Sequence, residues 1–315
     1  MAQNTCYGLD EQQLARFKRE GFLLVEDLLD DSILQPVIDE VTEEIERRAV
    51  GLIQEGLLSR SYTEYGFERQ LAMISKETDK LARAIWNGNL TGPAFFNLIR
   101  NPRLLDVAEQ FCGPEIIASA GYRLRPKIPN YHYGAVPWHQ DSGYAEPYCD
   151  NSLMITVWVP LIDATAENGC LWFIPGAHHG EVVTHRENAD HTYLEIPPEE
   201  LPAGEPVCVP VRKGGVLLFT NLTPHVSYEN RSDIVRWSMD LRYQSAALPT
   251  NAMVTRLEGE EVYDTARGVP PACYPPEADF LVRSAQRPAE VIQDAGRFRE
   301  IRETHQYLPV TTRWS

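Results

Sequence analysis

Basic residues are scarce in this chain: 29 lysines and arginines stand against 45 aspartates and glutamates, a formal net charge of −16 over 315 residues. That balance argues against a nucleic-acid partner, whose phosphates are neutralised by clustered Lys and Arg, and against docking on an anionic membrane. Long apolar runs are missing too. No stretch approaches the roughly 18 residues that a membrane-spanning helix needs. The start, Met1-Ala2-Gln3-Asn4-Thr5-Cys6, lacks a basic segment followed by an apolar one, so no secretory signal is expected. The six cysteines (6, 112, 149, 170, 208 and 273) are scattered, with no C-x-x-C pair. They read as reduced thiols of an intracellular protein and offer no zinc-ligand spacing, and the cytoplasm is the expected compartment. Internal repeats and low-complexity tracts are also absent.

What is present is apolar material for a sizeable core, 43% of residues. The first part reads as helical. Asp10 with Gln13 forms a capping box, Leu14 and Phe17 share a face, and Gly21 ends that helix. Phe22-Leu23-Leu24-Val25 follows as a short buried strand. A longer helix begins at Asp31 or Ser32, with Pro36 in its first turns and Leu34, Val37, Ile38, Val41 and Ile45 at helical spacing. Residues 81–112 repeat this amphipathic style. From Ile116 to Tyr243 the texture changes to short β-rich runs broken by Pro, Gly and Asn. The expectation is one domain over 1–315: a mostly helical support (1–115), a β core (116–245), and a wrapping segment (246–315). That last segment carries a proline-rich stretch, Pro270 to Pro276, and a helix over 288–304.

The chemistry concentrates in His139-Gln140-Asp141. Two residues apart on a strand, His139 and Asp141 project from one face. With His225 from a distant strand they make the two-histidine, one-carboxylate set that binds non-haem iron on one side and leaves three positions open. H-x-D alone recurs by chance, so the company it keeps matters. Arg236 follows His225 by eleven residues, inside Val235-Arg236-Trp237-Ser238-Met239-Asp240-Leu241-Arg242-Tyr243, where apolar and polar residues alternate. A buried guanidinium needs an anionic partner and grips a carboxylate through two parallel hydrogen bonds. A metal triad with such an arginine points to a keto-acid co-substrate.

In its motif blocks the chain resembles the phytanoyl-CoA dioxygenase-like Fe(II)/2-oxoglutarate oxygenases. The resembling residues are Trp138-His139-Gln140-Asp141, the run from Asn168 to His178, Gly214-Gly215-Val216-Leu217-Leu218-Phe219, His225-Val226-Ser227 and Arg236. The resemblance implies a mainly β fold with flanking helices and a double-stranded β-helix core (a jelly roll, cupin-like). It implies that His139, Asp141 and His225 bind Fe(II), and that Arg236 and Ser227 hold the distal carboxylate of 2-oxoglutarate. Trp158 matches a position lining the co-substrate pocket. The implied reaction consumes molecular oxygen, converts 2-oxoglutarate to succinate and carbon dioxide, and oxidises a C–H bond of a small molecule, most simply by hydroxylation. Desaturation, ring formation or endoperoxide formation would use the same residues, and a non-catalytic cupin-like binding protein is the reading from another class. In halogenating relatives a small residue replaces the carboxylate ligand, so Asp141 disfavours halogenation. Gly214-Gly215 stands where the family commonly has Gly-Asp, a change expected to alter a turn.

Other residues carry open readings. Tyr122-Arg123-Leu124-Arg125-Pro126-Lys127 puts three positive charges on one face, either as a second contact to 2-oxoglutarate or an acidic substrate group, Arg125 foremost, or as an edge strand protected by charge. Arg242 shares a face with Arg236 but lies roughly 20 Å along the strand, and is expected to pair with Asp240 or Glu229 at the rim. His178 and His179 read as loop-organising, His132 as a loop residue, and His185, His191 and His305 as surface. Residues 59–70 and 144–150 are expected to line the substrate pocket.

Overall fold

Helix α1 (Glu11–Glu20) starts at the reciprocal cap expected of its sequence, Asp10 Oδ1 accepting from the Gln13 amide at 2.8 Å and Gln13 Oε1 from the Asp10 amide at 2.9 Å. It stops at Gly21, whose φ of 83° favours glycine and where a Cβ would lie 2.4 Å from His178 Nδ1. The computed structural model describes residues 7–88, 90–119, 121–131, 134–189, 191–248, 254–255, 279–304, 306–307 and 313–314. His132, His305, Cys6, Cys273 and the Pro270 to Pro276 stretch lie outside the described residues.

Strand β1 (Phe22–Val25) leads into α2 (Asp31–Gln54), which buries Leu34, Val37, Ile38, Val41, Ile45 and Ala49 at three- and four-residue spacing. Helices α3 (Gly66–Ser75), α4 (Lys80–Asn87), α5 (Pro93–Ile99) and α6 (Pro102–Cys112) complete the helical layer. The β region supplies β2 (Ile116–Ser119), β3 (Arg123–Lys127), β4 (Val136–His139), β5 (Met154–Pro160), β6 (Leu171–Phe173), and a small ribbon of β7 (Arg186–Glu187) and β8 (Leu194–Glu195). It continues with β9 (Val207–Val209), β10 (Val216–Thr220), β11 (His225–Ser227) and β12 (Arg236–Ser245). Toward the C-terminus come β13 (Val254–Thr255), β14 (Asp279–Arg283), α7 (Ala295–Thr304) and β15 (Gln306–Tyr307).

Two antiparallel sheets form the jelly roll. The larger runs β1-β10-β5-β12-β2-β14, with β3 also on β12; the smaller runs β4-β11-β6-β9. The alternation read in the sequence of β12 orients the whole assembly. Trp237, Met239, Leu241 and Tyr243 enter the core shared with the helices, each at most 1% exposed. Full burial of such side chains contributes roughly 1.5–3 kcal/mol apiece. Their polar ends are satisfied from the helical layer, Trp237 Nε1 by Phe67 O and Tyr243 OH by Ile99 O. The opposite face of β12 therefore points between the sheets, where a second apolar cluster (Phe22, Trp158, Leu171, Phe173, Leu217, Phe219 among others) seals one end.

The C-terminal helix is shorter than its sequence pattern. Ile292 is tied by its amide to Leu281 O of β14, and Asp294 Oδ1 caps Arg297, so α7 begins only at Ala295. Gly214, the glycine that the Gly-Asp pattern shares, adopts φ 95° and a Cβ there would meet Leu29 O at 2.6 Å, whereas at Gly215, where the pattern has Asp, a Cβ would meet Arg212 O and Val211 Cγ1 at 3.2 Å.

Candidate metal centre and pocket

His139 and His225 are direct register partners across β4 and β11, which brings their ring centroids to 4.1 Å. Asp141 is not on the strand, as the sequence pattern had it. β4 ends at His139, and Asp141 opens a 3₁₀ turn (Asp141–Tyr144). The same-face geometry survives because Gln140 stays extended (φ −109°, ψ 141°), carrying the alternation one residue further. The three side chains are buried, and one ligand atom from each lies within 4.8 Å of the others.

Each of the three side chains is oriented by a second group. His139 Nδ1 lies 2.8 Å from Pro137 O and His225 Nδ1 3.0 Å from Thr223 O. A carbonyl only accepts, so both rings carry their proton on Nδ1 and present Nε2 to the site. Burial first, then the charge of His225, pushes His139 down to about 3, and burial lowers His225 as well. Both rings are thus neutral, the form that binds metal. Asp141 would be raised by burial, but Arg242 beside it holds the carboxyl far below the usual range. Arg242 forks onto both oxygens (Nε to Oδ2 3.2 Å, Nη2 to Oδ1 3.1 Å), and Thr156 Oγ1 donates to Oδ2 at 2.7 Å. Arg242 and Thr156 are register partners on β12 and β5, which explains their shared target. Arg242 therefore pairs with Asp141, and the expected rim pairing with Asp240 or Glu229 is replaced by it. Neutral nitrogen donors and an ionised carboxylate clustered on one side of a cavity fit Fe(II).

Six residues along β12 from Arg242, past Asp240 and Ser238, lies the second half of the site. Arg236 is 2% exposed; its Nη1 donates to Ser238 Oγ at 2.6 Å, its guanidinium sits 5.2 Å from the Trp158 ring centroid, and its buried Nε has no hydrogen-bond partner among the described residues. Burial lowers its pKa to about 10, so it stays charged at neutral pH. Its register partner is Lys127, also buried. Lys127 Nζ donates to Ser227 O at 2.8 Å, to Ser227 Oγ at 2.6 Å and to Tyr228 O. Burial, then the charge of Arg236, pushes Lys127 well below the usual lysine range, so the fixed positive charge here is the orphaned guanidinium, the setting for an anionic ligand. Ser227 Oγ donates to Gly169 O at 2.9 Å and accepts from Lys127, so its proton is already committed.

A cavity of about 320 Å³ joins the two halves, bordered by His139, Asp141, His225, Arg236, Ser227 and Trp158. Arg125 also faces it, but is paired with Asp240 (3.2 Å) and stacked over Trp86 (4.8 Å). β3 is thus no solvent-facing charged edge: Arg123 and Arg125 face the cavity and Lys127 is fully buried. Tyr144, Ala145 and Cys149 reach the cavity as expected of 144–150, whereas no residue of 59–70 does. Phe67 instead stacks on Trp237 in the helical layer, and the cavity wall is completed by Trp86, Asn87 and Tyr193.

His185 is buried, not on the surface: its Nε2 accepts the Gln140 amide at 3.0 Å, and burial lowers its pKa to about 4. His191 is exposed and paired with Glu187, while His178 Nε2 reaches Lys18 O and ties its turn to α1. Thr156 and His185 were not assigned to the site from sequence, Lys127 was left open between a co-substrate contact and a charged edge, and Arg242 was placed at the rim, although the period-two alternation of β12 puts it on the face of Arg236. Among the described residues, no helix is long and apolar enough to cross a membrane.

A model of the family described as phytanoyl-CoA dioxygenase matches residues 17–238. The chain is 28% identical over 278 residues to phytanoyl-CoA dioxygenase domain-containing protein 1 of Bos taurus, covering 76% of this chain and 91% of that protein. It is 27% identical over 247 residues to a probable alpha-ketoglutarate-dependent hypophosphite dioxygenase of Stutzerimonas stutzeri, covering 75% and 78%. Among solved structures, the epimerase SnoN in complex with Fe3+, alpha ketoglutarate and nogalamycin RO superimposes with a TM-score of 0.56 at 20% identity, covering 87% of this chain and 98% of that one. This last likeness is one of fold.

Proposed function

Because the chain belongs to the phytanoyl-CoA dioxygenase family, we propose that it is an Fe(II)- and 2-oxoglutarate-dependent dioxygenase that hydroxylates a C–H bond of a small molecule. One observation carries the reading: a buried His139–Asp141–His225 cluster opens onto a cavity whose far end is a buried, incompletely partnered Arg236. The overall reaction takes 2-oxoglutarate, oxygen and R–H to succinate, carbon dioxide and R–OH. Fe(II), held by His139, Asp141 and His225, supplies the activation of oxygen.

The chain's own residues supply position and environment. Arg236 pairs with the distal carboxylate of 2-oxoglutarate, Ser227 borders it, and the Trp158 ring flanks it. Lys127 fixes Ser227 through the hydrogen bonds it donates to the Ser227 carbonyl and hydroxyl. Arg242 and Thr156 hold the Asp141 carboxylate so that it neither rotates nor takes up a proton. Leu171 and Phe219 keep water from the inner end. Arg125, Trp86, Asn87, Tyr144 and Tyr193 form the outer wall, where a substrate with a ring and polar groups would lie. A complete donor set also separates this reading from a non-catalytic binding protein, since an unused cluster of buried charges is costly to keep. The test is conversion of 2-oxoglutarate to succinate in the presence of Fe(II), ascorbate and air without added substrate. Turnover above the metal-free blank, lost in His139→Ala and His225→Ala, supports the proposal. No turnover in the wild type under these conditions, with 2-oxoglutarate failing to bind, contradicts it.

A further inference from the structure

The turn that carries Asp141 is held by residues far outside the region matched to the family, which ends at 238. The Ser142 carbonyl accepts from Arg313 Nη1 at 3.0 Å, and the Gly143 carbonyl accepts from Trp314 Nε1 at 2.7 Å. Arg313 is itself anchored by both of its terminal nitrogens on the Asp150 carboxylate (Nη1 to Oδ1 2.9 Å), with its side chain only 10% exposed. The Trp314 ring lies 5.3 Å from the ring of His185, which in turn accepts the Gln140 amide. His185 presses on the turn closely enough that a Cβ at Gly143 would meet its Nε2 at 2.5 Å. From the other side, Asn221 O accepts the Ser142 amide at 3.0 Å and Asn221 Nδ2 donates to Ser142 Oγ at 2.8 Å.

We propose that Arg313 and Trp314 are positioning residues for the metal centre: by taking the Ser142 and Gly143 carbonyls, they fix the turn from which the Asp141 carboxylate projects. The inference rests on the reading of His139, Asp141 and His225 as metal ligands. Two features separate it from simple packing. Both donors meet backbone atoms of the ligand-bearing turn rather than side chains around it. The Arg313–Asp150 pair is also half-buried, its side chains 10% and 27% exposed, and an ion pair withdrawn from water does little for stability relative to apolar packing, whereas it fixes geometry. Groups that orient a metal ligand from behind typically change metal affinity 10–100-fold when removed.

The experiment measures Mn(II) affinity by calorimetry on the full chain, with amide exchange of the metal-free protein alongside. Trp314→Phe keeps a ring against His185 and deletes a single N–H donor; Arg313→Met deletes the fork, and Arg313→Lys restores charge without it. The expected result is about tenfold weaker Mn(II) binding in Trp314→Phe and at least that in Arg313→Met, with partial recovery in Arg313→Lys. Faster exchange at the Gly143 and Ala145 amides before any metal is added is the second expected sign. A merely structural role would lower the unfolding temperature equally with and without Mn(II) and leave its affinity unchanged. Mn(II) binding within twofold of wild type in Trp314→Phe, with unaltered exchange in the turn, overturns the proposal; this holds even if Arg313→Met does not fold. His139→Ala is the control on the underlying reading. If it binds Mn(II) like the wild type, the ligand assignment has failed; if it loses Mn(II) while Trp314→Phe does not, only the positioning role has.

Discussion

Replacing Arg236 by methionine should do two opposite things, and the magnitudes follow from its surroundings. In the ligand-free protein its charge is buried with no carboxylate of the described residues in contact, and burial takes its pKa from 12.5 to about 10. At about 1.4 kcal/mol per pKa unit, holding that charge costs folding about 3 kcal/mol. Methionine relieves this cost but gives up the hydrogen bond to Ser238 and the contact with the Trp158 ring, together on the order of 2 kcal/mol. The net change is about zero to slightly stabilising. An ordinary buried pair would instead lose about 3–5 kcal/mol when one partner is removed. Co-substrate binding should collapse in the same variant. Arg236→Lys, which keeps a charge but not the fork, should lose about 2 kcal/mol of binding, a roughly thirtyfold higher KM for 2-oxoglutarate. The assay pairs calorimetric unfolding without metal or 2-oxoglutarate with steady-state kinetics. A domain of this size shifts by about 2–4 °C per kcal/mol, so the metal-free unfolding temperature of Arg236→Met should stay within a few degrees of wild type. A drop beyond about 8 °C combined with unchanged 2-oxoglutarate affinity would show that Arg236 is a structural arginine and refute the reasoning.

Three further outcomes are expected. Ser227→Ala should raise the KM for 2-oxoglutarate only about fivefold, about 1 kcal/mol for one neutral partner whose proton already goes to Gly169; an effect as large as that of Arg236→Lys would make Ser227 a principal contact. Asp141→Gly should abolish hydroxylation and leave Arg242 without its carboxylate, and wild-type enzyme turned over in chloride should give no chlorinated product by mass spectrometry; chlorination by the wild type would contradict Asp141 as a ligand. His185 gives the metal-free protein acid sensitivity: its folded pKa of about 4 lies below the unfolded 6.5, so the unfolded chain binds the extra proton between those values. Stability then falls as pH drops from 6.5 toward 4, by up to about 3 kcal/mol from this residue, and His185→Asn should make that part of the unfolding profile less steep, the remaining slope coming from the buried His139 and His225; an unchanged slope would show that His185 does not titrate this way.

The β core was readable because its signals are local. Alternation over 235–243 gave the inner and outer faces of β12, and the Asp10–Gln13 cap and Gly21 gave both ends of α1, since each depends on residues a few positions apart. The clustering of His139, Asp141 and His225 was readable because H-x-D keeps its geometry even where the strand stops short of Asp141. What escaped were contacts made across the chain. Arg242 meets Asp141 over 101 residues only because β12 and β5 pair in one particular register, and no local pattern encodes that register. His185 has polar sequence neighbours yet folds under the Asp141 turn, since burial of a single side chain depends on what packs over it. Arg313 and Trp314 belong to no periodic element, and their partners lie more than 160 residues away. The pocket wall was mistaken for 59–70 because an aromatic-rich stretch looks the same whether it faces a ligand or, as Phe67 does, another aromatic ring in the core.

The central claim is that one cavity holds a metal on His139, Asp141 and His225 and 2-oxoglutarate between that metal and Arg236. Anaerobic titration of the metal-free protein with Fe(II) and 2-oxoglutarate tests it most directly, read by calorimetry and by the visible absorption of an Fe(II)–2-oxo-acid chelate. The account predicts one Fe(II) and one 2-oxoglutarate per chain, with the absorption appearing only when both are present. It also predicts that His225→Ala abolishes the absorption and that Arg236→Met lowers the 2-oxoglutarate affinity while Fe(II) still binds. Tight 2-oxoglutarate binding that needs no metal, or Fe(II) binding that survives loss of His225 undiminished, would contradict it.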